Sequence, residues 1–381
     1  MKLQRKNRLR ATALGVIAVS SALALTACGS DNNSGGGTTG GTGGTASGNP
    51  SNVKCDGAKG QLLASGSSAQ KNAMDLWVKN YMAACKDAQI NYKSSSSGEG
   101  IVAFTQGTVA FAGSDSPLNA QQVEDSKKVC TGGGQGINLP MVGGPIAIGF
   151  HVEGVDSLVL DASSIAKIFS GKITKWNDEA IAKLNPGAKL PDLAIQAFHR
   201  SEDSGTTENL TKYLSATAKA DWTYAPAKKW AAPGGQAASG SAGVAAQVKQ
   251  TNGAIGYFEL SYASSQSIKT VDINTGASAP VKASSANAST AIAAAKIAGT
   301  GKDLALKLDY ATKADNAYPI VLVTYEVACD KGNKPATLGT VKSFLNYTAS
   351  ADGQKLLTDA SYAPIPSEIN AKVIETINSL S

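Results

Sequence analysis

Three short clusters of serine, threonine and glycine have the residue types to bind a small anion. Each follows a predicted strand and opens a predicted helix: Ser65-Gly66-Ser67-Ser68, Ser96-Ser97-Gly98-Glu99-Gly100 and Ser204-Gly205-Thr206-Thr207. One such cluster alone would be explained as an N-cap, because serine and threonine commonly accept hydrogen bonds from the first helical amides. Three such clusters on alternating elements indicate an anion-binding site, since helix N-termini carry partial positive charge and free N–H groups. The pattern predicts a dehydrated tetrahedral oxyanion as the ligand.

Arg200 lies just before the third cluster and supplies the cation that such a site needs. Its planar guanidinium can contact two ligand oxygens at once and stays charged at every physiological pH. Glu202, two residues further on, is placed to hold this guanidinium in position. The alternative for Glu202 is an exposed ion pair on the surface, which would contribute little.

Asp115 is a carboxylate at a strand end that otherwise favours anions. It stands in Gly113-Ser114-Asp115-Ser116-Pro117-Leu118, where an aspartate most often caps a turn or a helix. If its side chain points inward, the ligand must donate a proton to it. Hydrogen phosphate carries such a proton at neutral pH and sulfate does not, so Asp115 would select phosphate by penalising sulfate.

Catalytic alternatives have little support in the sequence. The chain has only two histidines, His151 and His199, so a multi-histidine zinc site is excluded and a Ser/His/Asp triad would need one of these two. The G-x-S-x-G, Walker A and H-E-x-x-H patterns are absent. His199, beside Arg200, is interpreted as a structural hydrogen-bonding residue. The residues therefore favour a binding protein over an enzyme.

Strands and helices alternate from residue 61 onward, which predicts an α/β fold with helices on both faces of a sheet. Ligands of such folds bind at the carboxyl ends of the strands. The first predicted elements are strand Gln61 to Ser65, helix Ser68 to Cys85, strand Ile90 to Ser94, helix Glu99 to Gly107 and strand Val109 to Gly113.

Two long apolar runs, Ile137 to Val152 and Tyr318 to Cys329, predict crossovers between two lobes. We expect one lobe over 55–143 plus 320–381 and an inserted lobe over 144–319, joined by a two-strand hinge. The inserted segment is predicted to hold helices Ala162 to Ser170, Asp178 to Leu184, Gly205 to Leu214, Gly243 to Gln250 and Ala286 to Ala298, with strands Ala194 to His199 and Ala254 to Glu259. After Cys329 the sequence predicts helix to the end of the chain, with Ala336 to Tyr347 and Pro366 to Leu380 as the candidate helices.

The N-terminus has the pattern of an export signal over residues 1–27, with five of the 35 Lys and Arg in its first ten residues and an uncharged stretch behind them. A membrane-spanning helix is the alternative, but the stretch is short and contains Thr and Ser. Leu25-Thr26-Ala27-Cys28 resembles a bacterial lipobox, so Cys28 is predicted to be lipidated, as a palmitate-bearing lipoprotein anchor on the extracytoplasmic face of the cell membrane. The Gly/Ser/Thr-rich residues 28–54 are predicted to be a flexible tether.

Four cysteines remain, an even number in a chain predicted to be exported: Cys55, Cys85, Cys130 and Cys329. Three connectivities are possible for two disulfides. We favour Cys55 with Cys85 and Cys130 with Cys329, because Cys55 precedes the first strand and Cys85 ends the helix that returns beneath it. Free buried thiols are the alternative.

The composition and charge of the chain limit the classes of protein and of binding partner that fit it. With 42% hydrophobic and 17% charged residues over 381 positions, the chain can bury the cores of two domains and is not disordered. The formal charge of +6 comes almost wholly from the five basic residues of the export signal. A general nucleic-acid binder is therefore disfavoured.

Six motifs together resemble, in order and spacing, the phosphate-binding subunits of high-affinity phosphate ABC importers. The resemblance spans about residues 60–370. The motifs are Ser65-Gly66-Ser67-Ser68, Ser97-Gly98-Glu99-Gly100, Gly113-Ser114-Asp115-Ser116-Pro117-Leu118, Lys172-Ile173-Thr174-Lys175-Trp176-Asn177-Asp178, His199-Arg200-Ser201-Glu202-Asp203-Ser204-Gly205-Thr206 and Gly253-Ala254-Ile255-Gly256-Tyr257.

The resemblance implies a type II periplasmic-binding-protein fold with one phosphate between two α/β lobes, no cofactor, no metal and no catalysis. It assigns ligand contacts to Ser68, Ala69, Ser97, Asp115, Arg200, Ser204, Gly205 and Thr206, and the arginine-pairing role to Glu202. The chain departs from the family at Ala69, where a larger residue is common, and at Glu99 and Asp203, where glycine is common.

The implied function is a monomeric, lipid-anchored receptor that delivers phosphate to a membrane permease and its ATPase. Two alternatives stay open: a receptor for another oxyanion such as sulfate or molybdate, or for an organic phosphate, and a secreted phosphatase that uses the same cleft.

Overall fold

Parallel strands and helices alternate at the start of the part of the chain that a computed structural model describes, residues 53–381. The predicted signal peptide, Cys28 and the tether up to residue 52 lie outside the described residues. The first elements are β1 (Gly60–Ser67), α1 (Lys71–Ala84), β2 (Ala88–Ser95), α2 (Ser97–Thr105), β3 (Phe111–Ser114) and α3 (Ala120–Ser126). Helix α1 begins three residues later than predicted, because Ser68, Ala69 and Gln70 form the turn out of β1.

The middle of the chain begins with one long strand and continues with short strands and helices. These elements are β4 (Gly136–His151), β5 (Val159–Asp161), α4 (Ala162–Phe169), α5 (Glu179–Leu184), β6 (Gln196–Arg200), α6 (Gly205–Thr217), β7 (Gln236–Ala238), α7 (Gly240–Gln250), β8 (Ala254–Glu259), α8 (Leu260–Gln266), β9 (Lys269–Thr270), β10 (Asp272–Asn274), α9 (Ser285–Ala293), β11 (Lys296–Ile297) and β12 (Leu306–Lys307). Helix α9 ends earlier than its alanine-rich pattern predicted, because residues 296–297 pair with β12.

The end of the described chain is one buried strand and three helices: β13 (Val321–Cys329), α10 (Pro335–Ala349), α11 (Ala351–Asp359) and α12 (Ser367–Asn378). The strand predicted from Tyr318 starts at Val321, while the Tyr318 hydroxyl donates to the carbonyl of Ile146. Helix α11 lies in the stretch after Cys329 that was predicted to be helical, but its bounds were not predicted. Its start is capped by Ser350, whose hydroxyl accepts from the amide of Gly353.

One nine-stranded sheet runs in the order β2-β1-β3-β13-β4-β8-β6-β7, with β9 paired to β4. Strand β4 lies in the middle of this order and connects the two halves of the sheet, because residues 136–145 pair with β13 and residues 146–151 pair with β8. We call β2, β1, β3 and β13 with residues 136–145 the first half-sheet, and β8, β6, β7 and β9 with residues 146–151 the second half-sheet. The run Ile137 to Val152 is thus one continuous strand that crosses the molecule. The exact lobe boundaries stay a prediction.

Two large clusters of buried apolar side chains hold the helices on the sheet. One contains Trp77, Tyr81, Phe111 and Phe344 and packs α1 and α10 on the first half-sheet. The other includes Phe150, Trp176, Tyr213 and Trp222. Burial of each large apolar side chain contributes about 1.5–3 kcal/mol, so these clusters supply most of the driving force for folding.

Both favoured disulfides are confirmed. Cys55 bonds to Cys85 with a Cα–Cα distance of 5.4 Å, and Cys130 bonds to Cys329 with a Cα–Cα distance of 5.3 Å. The first ties the start of the described chain to the end of α1. The second ties the residue segment before β4 to the end of β13. Among residues 53–381, no helix has the length and apolarity to cross a membrane.

Candidate functional site

The strand ends that carry the predicted site residues meet in the interior of the protein. Ser68 follows β1, Ser97 opens α2, Asp115 follows β3 and Arg200 ends β6. All four are buried, and Arg200 is only 2% exposed. A buried arginine is rare unless it is paired, so its surroundings mark this place as a candidate site.

Glycines allow the ends of β1, β3 and α2 to approach each other closely. Gly66 has a φ of +149°, and a Cβ atom there would lie 2.1 Å from the carbonyl oxygen of Gly113. A Cβ atom on Gly100 would lie 2.5 Å from Cα of Gly66. Because no side chain fits at these two positions, glycine lets the start of α2 reach the ends of both strands.

Asp115 accepts three hydroxyl hydrogen bonds. Ser67 Oγ donates to Oδ2 at 2.7 Å, Ser97 Oγ donates to Oδ2 at 3.2 Å, and Thr324 Oγ1 donates to Oδ1 at 2.8 Å. Burial raises the pKa of Asp115, and the hydrogen bonds of these hydroxyls and the positive charge of Arg200 partly offset that effect. Since a carboxylate offers about four acceptor positions, Asp115 can still accept one more proton donor.

Arg200 is held by Glu202 on one side of its guanidinium and by hydroxyls on the other. Its Nε and Nη2 atoms donate to Oε1 of Glu202, the former at 2.5 Å. Its Nη1 atom donates to Ser241 Oγ at 3.1 Å and to Thr206 Oγ1 at 3.4 Å. Burial would raise the pKa of Glu202, but the charge of Arg200 and several hydrogen bonds hold it below its usual value. The predicted pairing of Glu202 with Arg200 is therefore present, and it leaves Nη1 for the site.

The two half-sheets touch each other around these groups. The amide of Gly205 donates to Ser97 Oγ at 3.2 Å, and the amide of Ser241 donates to Ser68 Oγ at 3.1 Å. The amide of Gly98 donates to the carbonyl of Asp203 at 3.0 Å. Hydrogen bonds thus connect the Ser97 and Asp115 group with the Arg200 and Thr206 group.

A side chain at either of two contact glycines would keep the half-sheets apart. A Cβ atom on Gly98 would lie 2.7 Å from Cβ of Asp203, and one on Gly205 would lie 2.7 Å from Cβ of Asp115. The site is consequently enclosed in this arrangement, and it can fill or empty only if the two sides separate.

Six of the eight predicted ligand residues belong to this connected network: Ser68, Ser97, Asp115, Arg200, Gly205 and Thr206. Ala69 and Ser204 adjoin it, but the groups through which they were predicted to bind the ligand make local bonds. The amide of Ala69 donates to Ser67 Oγ, and the hydroxyl of Ser204 accepts from the amide of Thr207 as the N-cap of α6. The role of all eight as ligand contacts stays a prediction.

Several residues of the network were missed from the sequence. Ser241 near the start of α7 was missed because that helix was predicted to begin at Gly243, although Ser239-Gly240-Ser241 is one more serine and glycine cluster after a strand. Thr324 of β13 and Glu259 at the end of β8 also reach the site. Thr324 lies inside an apolar strand without a motif, so no signal in the sequence could have found it, whereas Glu259 ends a predicted strand and could have been examined for that reason.

His199 has the structural role predicted for it. Its ring stacks on Trp230 with centroids 4.9 Å apart, and Nδ1 lies 2.9 Å from the carbonyl oxygen of Arg200. Within residues 53–381, no group of three or more His, Cys, Asp or Glu side chains is arranged to hold a metal ion.

Comparison with known sequences gives one family over most of the chain. A profile of the PBP superfamily domain matches residues 39–352. Phosphate-binding protein PstS 3 of Mycobacterium tuberculosis is 40% identical over 97% of this chain and 98% of its own length. Phosphate-binding protein PstS 2 of the same organism is 37% identical over 94% of this chain and 95% of its own length.

Solved structures agree on the fold. A phosphate-bound periplasmic phosphate-binding protein, PfluDING, aligns with a TM-score of 0.68 and 22% identity over 82% of this chain and 93% of its own. The phosphate binding protein from Stenotrophomonas maltophilia aligns with a TM-score of 0.63 and 21% identity over 83% and 93% of the two chains. The predicted type II periplasmic-binding fold is confirmed.

Proposed function

Because the chain belongs to the PstS family of phosphate-binding proteins within the PBP superfamily, we propose that it is an extracytoplasmic receptor for inorganic phosphate. It binds one phosphate ion between the two half-sheets and delivers the ion to an ABC-type permease with its ATPase. It needs no cofactor and has no turnover of its own. Lipidation of Cys28 and a monomeric state belong to the same proposal.

One arrangement carries the proposal: a buried guanidinium and a buried carboxylate on opposite sides of one hydrogen-bonded network. Nη1 of Arg200, with the amides at the start of α6, provides donors for phosphate oxygens. Asp115 provides an acceptor with one free position, which suits the proton of hydrogen phosphate. A site for a fully deprotonated anion would have no use for that carboxylate.

Calorimetric titration of the purified protein with inorganic phosphate tests the proposal directly. We expect a one-to-one complex, with sulfate as the matched tetrahedral control that binds far more weakly. An absence of phosphate binding at millimolar ligand would overturn the function. Release of phosphate from a phosphomonoester by the pure protein would instead favour the phosphatase alternative.

Changing Asp115 to Asn should reduce the selectivity for phosphate over sulfate by at least about tenfold, which corresponds to about 1.4 kcal/mol. The amide keeps the shape of the side chain and removes the charge that repels sulfate. The measurement is the ratio of the two dissociation constants. Asp203→Asn is the control, because the Asp203 side chain is exposed beside the site and only its backbone carbonyl joins the contact. Equal ratios in Asp115→Asn and wild type would refute the selecting role.

Lowering the pH should weaken phosphate binding, because it protonates Asp115. The ligand's proton can be accepted only by ionised Asp115, and the pKa of this group is raised by its burial. Affinity should therefore fall as the pH drops through that raised pKa, and Asp115→Asn should lack this decline.

A further inference from the structure

Glu259 is a second buried carboxyl group of the site, and the proposed function does not use it. It is the last residue of β8 and is 1% exposed. Its Oε1 atom accepts a hydrogen bond from Thr206 Oγ1 at 2.8 Å. Its Oε2 atom is buried and has no hydrogen-bond partner among the described residues. A buried charged oxygen without a partner is strongly unfavourable, so the charge state of Glu259 needs a physical explanation.

The charges around Glu259 do not balance if every carboxyl group of the site is ionised. Among residues 53–381, one cation, Arg200, contacts this network, while three carboxyl groups surround it: Asp115, Glu202 and Glu259. Glu202 already neutralises the guanidinium through Nε and Nη2. A phosphate anion would add further negative charge to an enclosed site, where bulk water does not screen it. One positive charge cannot compensate three carboxylates and the ligand together.

The three carboxyl groups are not equally able to stay ionised. Asp115 accepts three hydroxyl hydrogen bonds, and Glu202 has the ion pair together with the amide of Gly240 at 3.0 Å. Glu259 accepts one hydrogen bond within normal distance, from Thr206 on Oε1, with Ser241 as the other hydroxyl that stabilises its charge, and its Oε2 is unpartnered. The ionised form of Glu259 is therefore the least stabilised of the three.

We propose that Glu259 takes up a proton from the solvent when phosphate binds and holds it on Oε2, so that the loaded receptor contains a neutral Glu259. This inference rests on the proposed function, because the added charge is that of the bound phosphate. The proton forms an O–H bond at Glu259 and leaves a buffer base behind, and no other bond changes.

The surroundings of Glu259 in this closed arrangement favour its neutral form, so the proton is taken up as the two sides close around the ion. Burial and then the charge of Asp115 raise the pKa of Glu259, against opposing effects of Ser241, Arg200 and Thr206. Two further titratable groups face it, Tyr262 of α8 and Tyr362 after α11. Burial raises the pKa of both tyrosines, so they stay neutral and add no further negative charge.

Proton uptake gives the affinity a pH dependence of opposite sign to that of Asp115. Where Glu259 of the empty receptor is ionised, uptake of about one proton makes binding weaken by about tenfold for each unit of rising pH. Titration of Asp115 weakens binding at low pH. Phosphate itself also titrates near neutrality, so the contribution of Glu259 must be isolated by a variant that leaves the ligand's contribution unchanged.

The test is calorimetric titration with inorganic phosphate in pairs of buffers that differ in ionisation enthalpy, which counts the protons taken up per ion bound. Wild type should take up more protons than Glu259→Gln, by up to about one. Glu153→Gln, at an exposed position on the surface, is the matched control and should behave as wild type. Equal proton numbers in wild type and Glu259→Gln would overturn the inference. Failure of wild type to bind phosphate would contradict the proposed function instead.

A second measurement does not depend on the folding of a variant. Infrared difference spectra of the wild-type protein, with isotope-labelled glutamate and recorded on addition of phosphate, should show a new band of a protonated glutamic acid. A glutamate that only supports the Thr206 hydroxyl would give no such band. Its absence would overturn the inference even if Glu259→Gln does not fold.

Discussion

Replacing Arg200 with alanine should weaken phosphate binding by at least about a hundredfold, which corresponds to about 3 kcal/mol. Hydrogen bonds from a charged donor contribute about 1.5–3 kcal/mol each, and Nη1 is the part of the guanidinium that faces the site. The substitution also leaves Glu202 without its cation. That carboxylate would then repel the ligand, so the loss exceeds that of one hydrogen bond.

Two variants make this prediction specific. Arg200→Lys keeps the positive charge but cannot bond Glu202, Ser241 and Thr206 at once, so it should have intermediate affinity. Ser68→Ala removes one neutral hydroxyl and should cost only about 1 kcal/mol. Dissociation constants are measured by calorimetry, and melting curves verify that each variant is folded. Equal losses for Arg200→Ala and Ser68→Ala would contradict the central role of the guanidinium.

Replacing Glu326 with glutamine should make the protein more stable at neutral pH, by up to about 3 kcal/mol. Glu326 lies on β13 between β3 and β4 and is fully buried. Neither of its carboxyl oxygens has a hydrogen-bond partner among the described residues. Burial raises its pKa from 4.5 to about 8, with Gln70 opposing and the charge of Asp115 adding to the effect.

The direction of the pH effect follows from this pKa. Between about pH 4.5 and about pH 8 the folded protein keeps a proton on Glu326 that the unfolded chain has lost. The free energy of unfolding therefore falls as the pH rises through this window, by up to about 1.4 kcal/mol per unit, and is constant again above it. Glutamine cannot ionise, so Glu326→Gln should lack this part of the decline.

Denaturant unfolding from about pH 5 to about pH 9 measures the effect. Glu375→Gln, at an exposed position on α12, is the matched control and should follow the wild type. A stability of Glu326→Gln that runs parallel to that of wild type over the whole range would show that Glu326 does not titrate as its burial requires.

Much of the fold was predictable because the periodicity of the chain is strong. Strand β8 was predicted with its observed ends, and β4 was predicted to within one residue, since its apolar residues are continuous and turns flank it. The two-residue strands β9, β11 and β12 were missed. Strand β9 exists only through pairing with the distant strand β4, and β11 and β12 only pair with each other, as Lys296 does with Lys307; two residues are too few for a periodic pattern to show in the sequence.

The site was predictable where a residue belongs to a strand end followed by a helix. Ser97, Asp115 and Arg200 were found for that reason, and they do come together. Thr324 and Glu259 reach the same place from β13 and the end of β8. Glu259 is also a strand end followed by a helix and was overlooked, but the arrival of Thr324 depends on the order of strands in the sheet, which brings β13 between β3 and β4. Strand order is a property of the folded chain, and no spacing in the sequence expresses it.

The bond between Cys130 and Cys329 spans 199 residues and encloses the entire second half-sheet. Synthesis proceeds from the N-terminus, so Cys55, Cys85 and Cys130 are all made long before Cys329. An oxidant that acts on the growing chain can join Cys55 to Cys85 early, but Cys130 has no native partner until Cys329 has been made. Correct assembly therefore depends on a late oxidation, or on thiol exchange that frees Cys130 from an early wrong partner.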